Sequence, residues 1–586
     1  MHANSATRSQ SGEEEKMGSS AVSQRRSRQR EVSRRRFLTL GAVAGAGIVA
    51  LPVVSAACGS AKKSATSASP TSTATGGTPS GTAQPRRGGT ATVPTAGDPP
   101  HFDPQLTQAF YTQYVYTLVG SRLIAFSHGP NIKAEDNTLV PDVAAAMPEQ
   151  PDKTTYVFKL RPGVKWQNLP PVSGRALTAD DVKYTYERFI AKKNPSAYLL
   201  DMIDKVEVTA PDTVRFTLKF PYAPFLTNLA WQYSWIVAKE AVEQNGNLQR
   251  GPVVGTGPFM LKDYTKGSRY NYVRNPDYFV SGQPYLDGFV IAVIPDDSAE
   301  QSAFRSGQVD LYTTGLGPQP PKTLQSMQYA TGVRDHPQMS LFQQGPQMRM
   351  DRPPFKDPRV RKAMRLLMNP QSFIETLGFG KGYWSGPVSP GMGQWSLSQD
   401  ELKTLLKPDV QQAKQLLQEA GVANLSTTLT TTTGYGSVML QAVQLYVEQA
   451  RQAGVTLDVK TVDYATFIKT KSPAGGDYSM IYGTYTGFVD PDQQLYALYY
   501  SKSARNETHI DDPTLDAMID KQRGEFDAQQ RQKLVHDAQK YILANVNTIL
   551  NPFDWDVHSF TQPWLENFWV ANDYGWGAEH LWTTKG

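Results

Sequence analysis

The stretch Thr155–Arg188, TYVFKLRPGVKWQNLPPVSGRALTADDVKYTYER, decides the fold of this chain of 586 residues. Its first residues alternate between apolar and polar side chains, which is the period of a half-buried strand. Arg161-Pro162-Gly163 predicts a turn, because proline presets φ and glycine accepts a positive φ. We expect a second short strand, Val164–Trp166, to return beside the first. A helix should then begin after Thr178, with acidic residues in its first turn.

Two parts of this stretch, KLRPGVKW and GRALTADDVKYTYER, closely resemble the signature of the family 5 extracellular solute-binding proteins, the peptide and nickel receptors of ABC importers. The loop Gln167–Ser173 is longer than the family's usual loop, so its contacts are not carried over. Further family-like motifs follow in the same order: GTGPFML at 255–261, RNPDYF at 274–279, PYLDG at 284–288 and PPFKDPRVRKA at 353–363. The resemblance covers the chain from residue 88 to its end.

This resemblance implies an α/β fold of the type II periplasmic-binding-protein class, with two lobes joined by a hinge and an extra domain in one lobe. The predicted segments are a twin-arginine-type lipoprotein signal at 1–57, a disordered tether at 58–87, lobe I at 88–128, 252–338 and 552–586, the extra domain at 129–251, and lobe III at 339–551. Periodicity in the sequence separately predicts helices at 180–192, 358–368, 409–420, 438–453 and 528–544, and strands at 90–93, 213–220, 289–294 and 456–462.

The N-terminal segment carries export signals. Arg34 and Arg35 lie in SRRRFLT, which fits the twin-arginine pattern, and an uncharged segment diluted by glycine follows. Its length is marginally sufficient for a transmembrane anchor, but the arginine pair and the glycines favour a cleaved signal. Cys58, the single cysteine of the chain, follows SAA and precedes glycine. This context resembles a lipobox, although Ser55 departs from the usual Leu or Val, and it predicts a lipid anchor at Cys58.

The composition limits the partners of the mature chain. Residues 1–57 hold nine Lys and Arg against four Glu, which leaves 50 basic and 50 acidic residues from Cys58 onward. A formally neutral chain argues against nucleic acid as a partner. The segment Gly59–Arg87 is rich in Ser, Thr, Ala, Gly and Pro, and as a flexible coil its 29 residues span roughly 30 Å. Such a tether would let a globular body reach a membrane partner.

The sequence carries no motif for catalysis, metal binding or cofactor binding. There is no P-loop, and the context of Ser437 is not a nucleophile elbow. Each of the eight histidines is more than twenty residues from the next, so no local metal motif exists. We therefore predict no enzyme activity, no cofactor and no dedicated metal site, although distant ligands could converge and a pair of carboxylates like that of a glycosidase stays open.

The segment Met480–Asp492, MIYGTYTGFVDPD, predicts a buried strand that ends at Asp490-Pro491. In the receptors that it resembles, this region lines the ligand cleft. Its aromatic side chains could face a ligand, or they could pack in the core of their own lobe. Two tryptophans near the Gly/Pro-rich loop Gly378–Gln394 are further aromatic candidates. The candidate ligand contacts are Tyr482, Tyr485, Phe488, Asp490, Trp384 and Trp395.

The family resemblance also predicts which ligands the cleft binds weakly. In peptide-binding members, an aspartate of the motif GWxADY pairs with the α-ammonium group of the ligand. Aligning this chain on Gly483 and on Asp490-Pro491 places Gly487 at that position, and glycine offers no carboxylate. Asp490 could substitute if its loop bends inward. We expect free-amine anchoring to be weak, as suits an oligosaccharide, a blocked peptide or another polar organic solute.

Taken together, these observations predict a monomeric, lipid-anchored binding protein on the outer face of the cytoplasmic membrane or in the periplasm. It would capture a peptide or another polar organic solute and deliver it to an ABC permease. Two alternatives on the same fold stay open. One is an exported hydrolase, which a catalytic rate of the purified protein would reveal. The other is a sensor that docks on a membrane receptor instead of a permease.

Overall fold

A computed structural model describes residues 84–585, apart from 130–131, 192–195, 315–316, 473–475, 486, 571 and 573–574, and apart from the side chain of residue 465. The export signal with Arg34 and Arg35 and residues 58–83 of the tether, with the lipid site at Cys58, lie outside the described residues. Among the described residues, no helix combines the length and the apolar character needed to span a membrane.

The described residues mix helices and strands along the whole chain. The strands are β1 Thr90–Thr95, β2 Ile124–Phe126, β3 Leu139–Pro141, β4 Glu149–Asp152, β5 Thr155–Lys159, β6 Ile203–Ala210, β7 Thr213–Leu218, β8 Phe259–Thr265, β9 Arg269–Arg274, β10 Gly288–Val293, β11 Leu311–Thr313, β12 Arg334–Met339, β13 Gln343–Met348, β14 Tyr383–Trp384, β15 Ser426–Thr432, β16 Thr456–Val462, β17 Met480–Tyr485, β18 Phe553–Asp554, β19 Asp556–Thr561, β20 Leu565–Glu566 and β21 Trp582–Thr583. The α-helices are α1 Phe110–Val119, α2 Ala179–Ala191, α3 Phe225–Ala230, α4 Lys239–Asn245, α5 Asp297–Arg305, α6 Pro321–Met327, α7 Pro358–Leu367, α8 Pro370–Thr376, α9 Gln399–Leu405, α10 Val410–Glu419, α11 Ser437–Arg451, α12 Tyr464–Lys471, α13 Pro491–Tyr499, α14 Pro513–Arg523 and α15 Ala528–Tyr541. The helices and strands predicted from periodicity therefore all form, with ends shifted by at most a few residues.

The opening stretch forms β5 and α2, but its predicted hairpin is wrong. Gly163 has a φ of 78° and turns the chain as expected. However, β5 pairs with β4 on one edge and with β7 on the other, so no edge is left for a returning strand. Instead, Val164–Trp166 lies beside the chain that leads into α2, where Trp166 N donates to Arg175 O at 2.9 Å and Leu177 N donates to Val164 O at 2.9 Å.

Three four-stranded sheets organise the described chain. The first has the order β1-β10-β9-β8, with β1 parallel to β10, so a strand from the start of the body pairs with one from its middle. The second, β4-β5-β7-β6, is antiparallel throughout. The third, β13-β17-β15-β16, has β15 parallel to both of its neighbours. Consecutive strands joined by helices, as in β15-α11-β16, give parallel pairs because the crossover returns the chain in the same direction.

Two neighbouring chain passages connect the first sheet region to the third sheet. β19 pairs with both β11 and β12 in a three-stranded antiparallel sheet. The chain runs from β12 directly into β13, and it returns just before β19. Ser340 N donates to Trp555 O at 2.8 Å, and Leu550 N donates to Pro346 O at 2.9 Å, so the two passages are hydrogen-bonded to each other. This paired crossing is the expected place of a hinge.

Among the described residues, buried apolar side chains form three large clusters. One lies around the first sheet and α1, and one around the third sheet and α7. The largest joins residues of 123–254 to residues of 485–549. The mixed α/β fold is confirmed, whereas the domain boundaries drawn from the sequence stay predictions.

Candidate functional site

A cavity of about 360 Å³ lies beside the crossing strands and against the first sheet. α1 contributes aromatic residues to one wall, because residues 110–116, FYTQYVY, place rings one turn apart along the helix. Pairs of rings from distant parts of the chain meet there: the centroids of Phe110 and Phe342 are 5.9 Å apart, and those of Tyr114 and Trp576 are 5.0 Å apart. The aromatic residues in the wall are Phe110, Tyr111, Tyr114, Phe342, Trp555, Phe568 and Trp576.

The polar part of the wall comes from the three-stranded sheet at the crossing. The hydroxyls of Thr313 and Ser559 lie 3.0 Å apart on neighbouring strands. Thr314 Oγ1 accepts from the backbone N of His558 at 3.0 Å. The side-chain amide nitrogen of Gln338, on β12, donates a hydrogen bond to Asn572 Oδ1. These groups could form neutral hydrogen bonds with a polar solute that lies against the aromatic walls.

Glu300 is the one carboxylate among the described residues that line this cavity, and no described lysine, arginine or histidine lines it. Burial, together with the charge of Asp297, raises the pKa of Glu300 to about 8. Burial also raises the pKa of Tyr114 to about 12 and the pKa of Tyr111 above its ordinary value. At neutral pH the described wall therefore carries mostly uncharged groups.

The aromatic residues predicted on β17 and just after it are buried in packed cores. Tyr482 is fully buried in the cluster around the third sheet, and its hydroxyl has no hydrogen-bond partner among the described residues. Tyr485 is 2% exposed, and Lys471 Nζ lies 5.1 Å from the centre of its ring. Phe488 is buried as well, with the guanidinium of Arg505 at 5.6 Å.

Asp490 caps a helix and forms a buried ion pair. Its side chain caps the N-terminus of α13 by accepting from Asp492 N at 2.8 Å. It also accepts two hydrogen bonds from Arg531, at 2.6 and 2.9 Å, and both side chains are buried. The guanidinium of Arg531 in turn lies 4.9 Å from the ring centre of Trp395. Asp490 and Trp395 thus meet through Arg531.

Trp384 lies apart from this group, in β14. It is 8% exposed, and its Nε1 donates to Gln371 Oε1 at 3.2 Å. The six residues named from the sequence are absent from the described wall of the 360 Å³ cavity. A direct contact of any of them with a ligand stays a prediction.

Sequence reasoning missed the cavity residues of α1 and α5. The sequence could have indicated an aromatic wall on α1, since four of the seven residues 110–116 are aromatic. The signal for Glu300 was absent, because a glutamate in the first turn of a helix is ordinary on a protein surface.

A buried polar contact between distant parts of the chain was also missed. The hydroxyl of Tyr222 donates to Asp492 Oδ2 at 2.7 Å, and Gln522 Nε2 donates to Asp492 Oδ1 at 2.6 Å. Arg523 Nε lies 3.2 Å from the same Oδ1. Burial raises the pKa of Asp492 despite this arginine. The contact ties the segment after β7 to the first turn of α13.

Comparison with known proteins agrees with this architecture. Di/tripeptide-binding protein 2 of Pseudomonas aeruginosa (strain UCBPP-PA14) is 28% identical over 494 residues, which cover 78% of this chain and 88% of that protein. The solved structure of DppA from Helicobacter pylori, an ABC transporter-associated periplasmic binding protein in complex with the peptide STSA, superposes with a TM-score of 0.71 at 21% identity, covering 85% of this chain and 99% of that one. The structure of AgaA from A. tumefacien R10 in complex with agropinic acid gives a TM-score of 0.72 at 22% identity, with coverage of 85% and 99%.

Residues 138–506, which are more than half of the chain, match the family described as bacterial extracellular solute-binding proteins, family 5 Middle. The expected fold and the expected solute-binding role are thereby confirmed. This chain belongs to the family 5 extracellular solute-binding proteins.

Proposed function

We propose that the chain captures a small peptide or another polar organic solute outside the cytoplasmic membrane and delivers it to an ABC importer, without catalysing a reaction. The observation that carries this proposal is the aromatic cavity beside the crossing strands. Ligand sites in proteins are mostly apolar, with a few polar groups that fix orientation, and this wall has that character. The names of the similar proteins point to the same ligand classes, since one binds di- and tripeptides and another holds agropinic acid.

The lobe organisation predicted from the sequence belongs to the same proposal. Lobe I would comprise 88–128, 252–338 and 552–586, and the pairing of β1 with β10 and of β11 with β19 supports joining these segments. Lobe III would comprise 339–551, and the extra domain 129–251. Closure of the lobes must be driven by contacts that exist only when the ligand is held between them.

Residue 487 supplies no carboxylate that could pair with an α-ammonium group of the ligand. Gly487 offers no side chain, and Asp490 is already paired with Arg531 at 2.6 and 2.9 Å. Moving Asp490 inward would break this buried ion pair and the cap of α13 together, which is costly. The mostly protonated carboxyl of Glu300 instead offers a neutral hydrogen-bond donor at pH 7.

The test begins with native mass spectrometry of the solute that co-purifies with the protein. If this solute is a peptide, calorimetry should compare it with its N-acetylated form. We expect similar affinities, because the α-ammonium group has no charged partner here. A hydrogen bond to a charged group contributes about 1.5–3 kcal/mol, so a loss of roughly ten- to a hundredfold on acetylation would contradict the neutral mode of binding.

A pair of variants separates the cavity from the rest of the surface. Trp576→Ala removes an aromatic wall of the cavity and should weaken binding of the co-purified solute. Tyr264→Ala is the matched control, because this aromatic side chain is 48% exposed and lies outside the cavity wall. Equal affinities of the two variants would show that the solute binds elsewhere.

The anchoring and the assembly state complete the proposal. Cys58 would carry the lipid that holds the mature chain at the outer face of the membrane, after export directed by Arg34 and Arg35. The protein would act as a monomer, so that one lobe pair meets one permease. The support for this part is the sequence pattern alone.

A further inference from the structure

Two histidines and a glutamate from distant parts of the chain lie close together. His128 follows β2, and Glu579 and His580 belong to the C-terminal segment. One potential ligand atom from each side chain lies within 4.8 Å of the other two. Among the described residues, this is the one such group of three or more histidine, cysteine and carboxylate side chains.

The local backbone holds these side chains in place. Gly577 has a φ of 55°, which favours glycine, and it begins a turn in which His580 N donates to Gly577 O at 2.8 Å. This turn brings Glu579 and His580 to the side of His128. The ring centroids of His128 and His580 are 6.5 Å apart in an edge arrangement.

A second polar group orients one of the rings. The side-chain amide nitrogen of Gln283, in the loop before β10, lies 3.0 Å from Nδ1 of His580. A histidine that binds a metal usually donates its other ring N–H to an acceptor. Turning the Gln283 amide by 180° puts its oxygen beside Nδ1, where it accepts from Nδ1–H and leaves Nε2 for the metal. Nε2 of His580 is the nitrogen that faces Glu579, at 3.5 Å from its Oε1.

This separation fits a tetrahedral metal ion. Ligand atoms about 2.0–2.1 Å from zinc in tetrahedral geometry lie roughly 3.4 Å from one another. Two imidazoles and one carboxylate are donors that suit zinc and its neighbours in the transition series, whereas magnesium and calcium prefer oxygen alone. Three protein ligands also leave one position open.

The three side chains line a cavity of about 320 Å³, which differs from the aromatic cavity described above. His128, Glu579, His580 and Gln283 all contribute to its wall. Asp142 also lines it, but its Oδ2 accepts from the backbone N of Arg122 at 2.6 Å. The cavity gives a hydrated ion or a small chelate room to enter.

We propose that His128, Glu579 and His580 bind one divalent transition-metal ion of the zinc class, and that Gln283 is a positioning residue for His580. The ion joins the loop after β2 to the C-terminal segment. None of these four side chains lines the ligand cavity, so a zinc-binding test of this site does not depend on the proposed transport function.

The test uses the full chain without a polyhistidine tag and zinc chloride as the probe, with magnesium chloride as the comparison. Competition with a chromophoric chelator should give one zinc ion per chain at the proposed site. His128→Ala and His580→Ala should each lower the zinc affinity at least tenfold and reduce the zinc-dependent rise of the melting temperature. His536→Ala is the matched control, because this half-buried histidine on α15 contacts Gln394 O and does not line the 320 Å³ cavity.

Gln283 supplies a readout that a general loss of stability would not produce. Gln283→Leu should lower the zinc affinity ten- to a hundredfold while the melting temperature without metal stays unchanged, and Gln283→Glu should restore the affinity. Substitution with cobalt(II) gives visible absorption bands that should disappear in His580→Ala. Equal zinc affinity in the wild type, His128→Ala, His580→Ala and the His536→Ala control would overturn the proposal, as would equal binding of magnesium.

Discussion

Replacing Glu300 by glutamine tests the electrostatics of the ligand cavity. In the folded chain the pKa of Glu300 rises from 4.5 to about 8, mainly through burial. Each pKa unit corresponds to about 1.4 kcal/mol, so the shift is equivalent to at most about 5 kcal/mol. Because the side chain is only partly buried, solvent screening reduces the expected effect to on the order of 2 kcal/mol.

The raised pKa of Glu300 determines whether the stability of the protein rises or falls with pH. Between about pH 5 and about pH 8 the unfolded chain has lost the proton of Glu300, whereas the folded chain still holds it. The free energy of unfolding contributed by this group is therefore largest at low pH and falls as the pH rises through the folded pKa. Glu300→Gln has no proton to lose, so its stability relative to the wild type should rise over the same range.

The assay is urea unfolding of both proteins at several pH values from about 5 to 9, followed by fluorescence. The stability of Glu300→Gln relative to the wild type should improve by on the order of 2 kcal/mol across this range. Glu243→Gln is the matched control, because it removes a carboxylate that is 62% exposed and belongs to a surface ion pair. A difference between Glu300→Gln and the wild type that stays constant with pH would refute the raised pKa.

Three further predictions concern anchoring, closure and the buried contact at α13. Cys58→Ser should move the exported protein from the membrane to the soluble fraction, and a variant that stays membrane-bound would contradict the lipid anchor. Replacing Arg34 and Arg35 by lysine should block export, and normal export of this double variant would contradict the twin-arginine signal. The true solute should reduce the radius of gyration in solution scattering and raise the melting temperature with its concentration, and tight binding without compaction would contradict a hinge. Tyr222→Phe removes the donor 2.7 Å from Asp492 Oδ2 and should destabilise the protein by about 1–3 kcal/mol in urea unfolding, whereas an unchanged midpoint would show that this contact contributes nothing.

Much of the fold was predictable because local patterns and family motifs agreed. The helices α2, α7, α10, α11 and α15 form where apolar residues recur at helical spacing. The error at Val164–Trp166 has a physical cause: a turn after a strand predicts a hairpin, but the sequence does not show that β4 and β7 already occupy both edges of β5. Strand neighbours that are distant in the sequence decide such cases.

The candidate site was less predictable, because it depends on convergence. The sequence left open whether the aromatic residues on β17 and just after it line a cleft or pack in a core, and the structure buries them in cores. Glu300 has no unusual sequence context, and its pKa is raised only by the surroundings that the fold supplies. His128 and His580 are far apart in the chain, so no spacing rule could join them. Contacts between segments that are distant in the sequence bring these residues to their places.

The two proposed sites share one side chain, and this sharing has a thermodynamic consequence. Trp576 lies in the wall of the aromatic cavity and also in the wall of the cavity beside His128 and His580. A metal ion on Glu579 and His580 would restrict the segment that carries Trp576, so a solute bound afterwards would lose less conformational entropy in ordering that segment. Linkage requires the factor by which zinc changes solute affinity to equal the factor by which solute changes zinc affinity. Two titrations, each with and without the second ligand, should give one common factor above unity, whereas a factor of one would show that Trp576 transmits nothing between the sites.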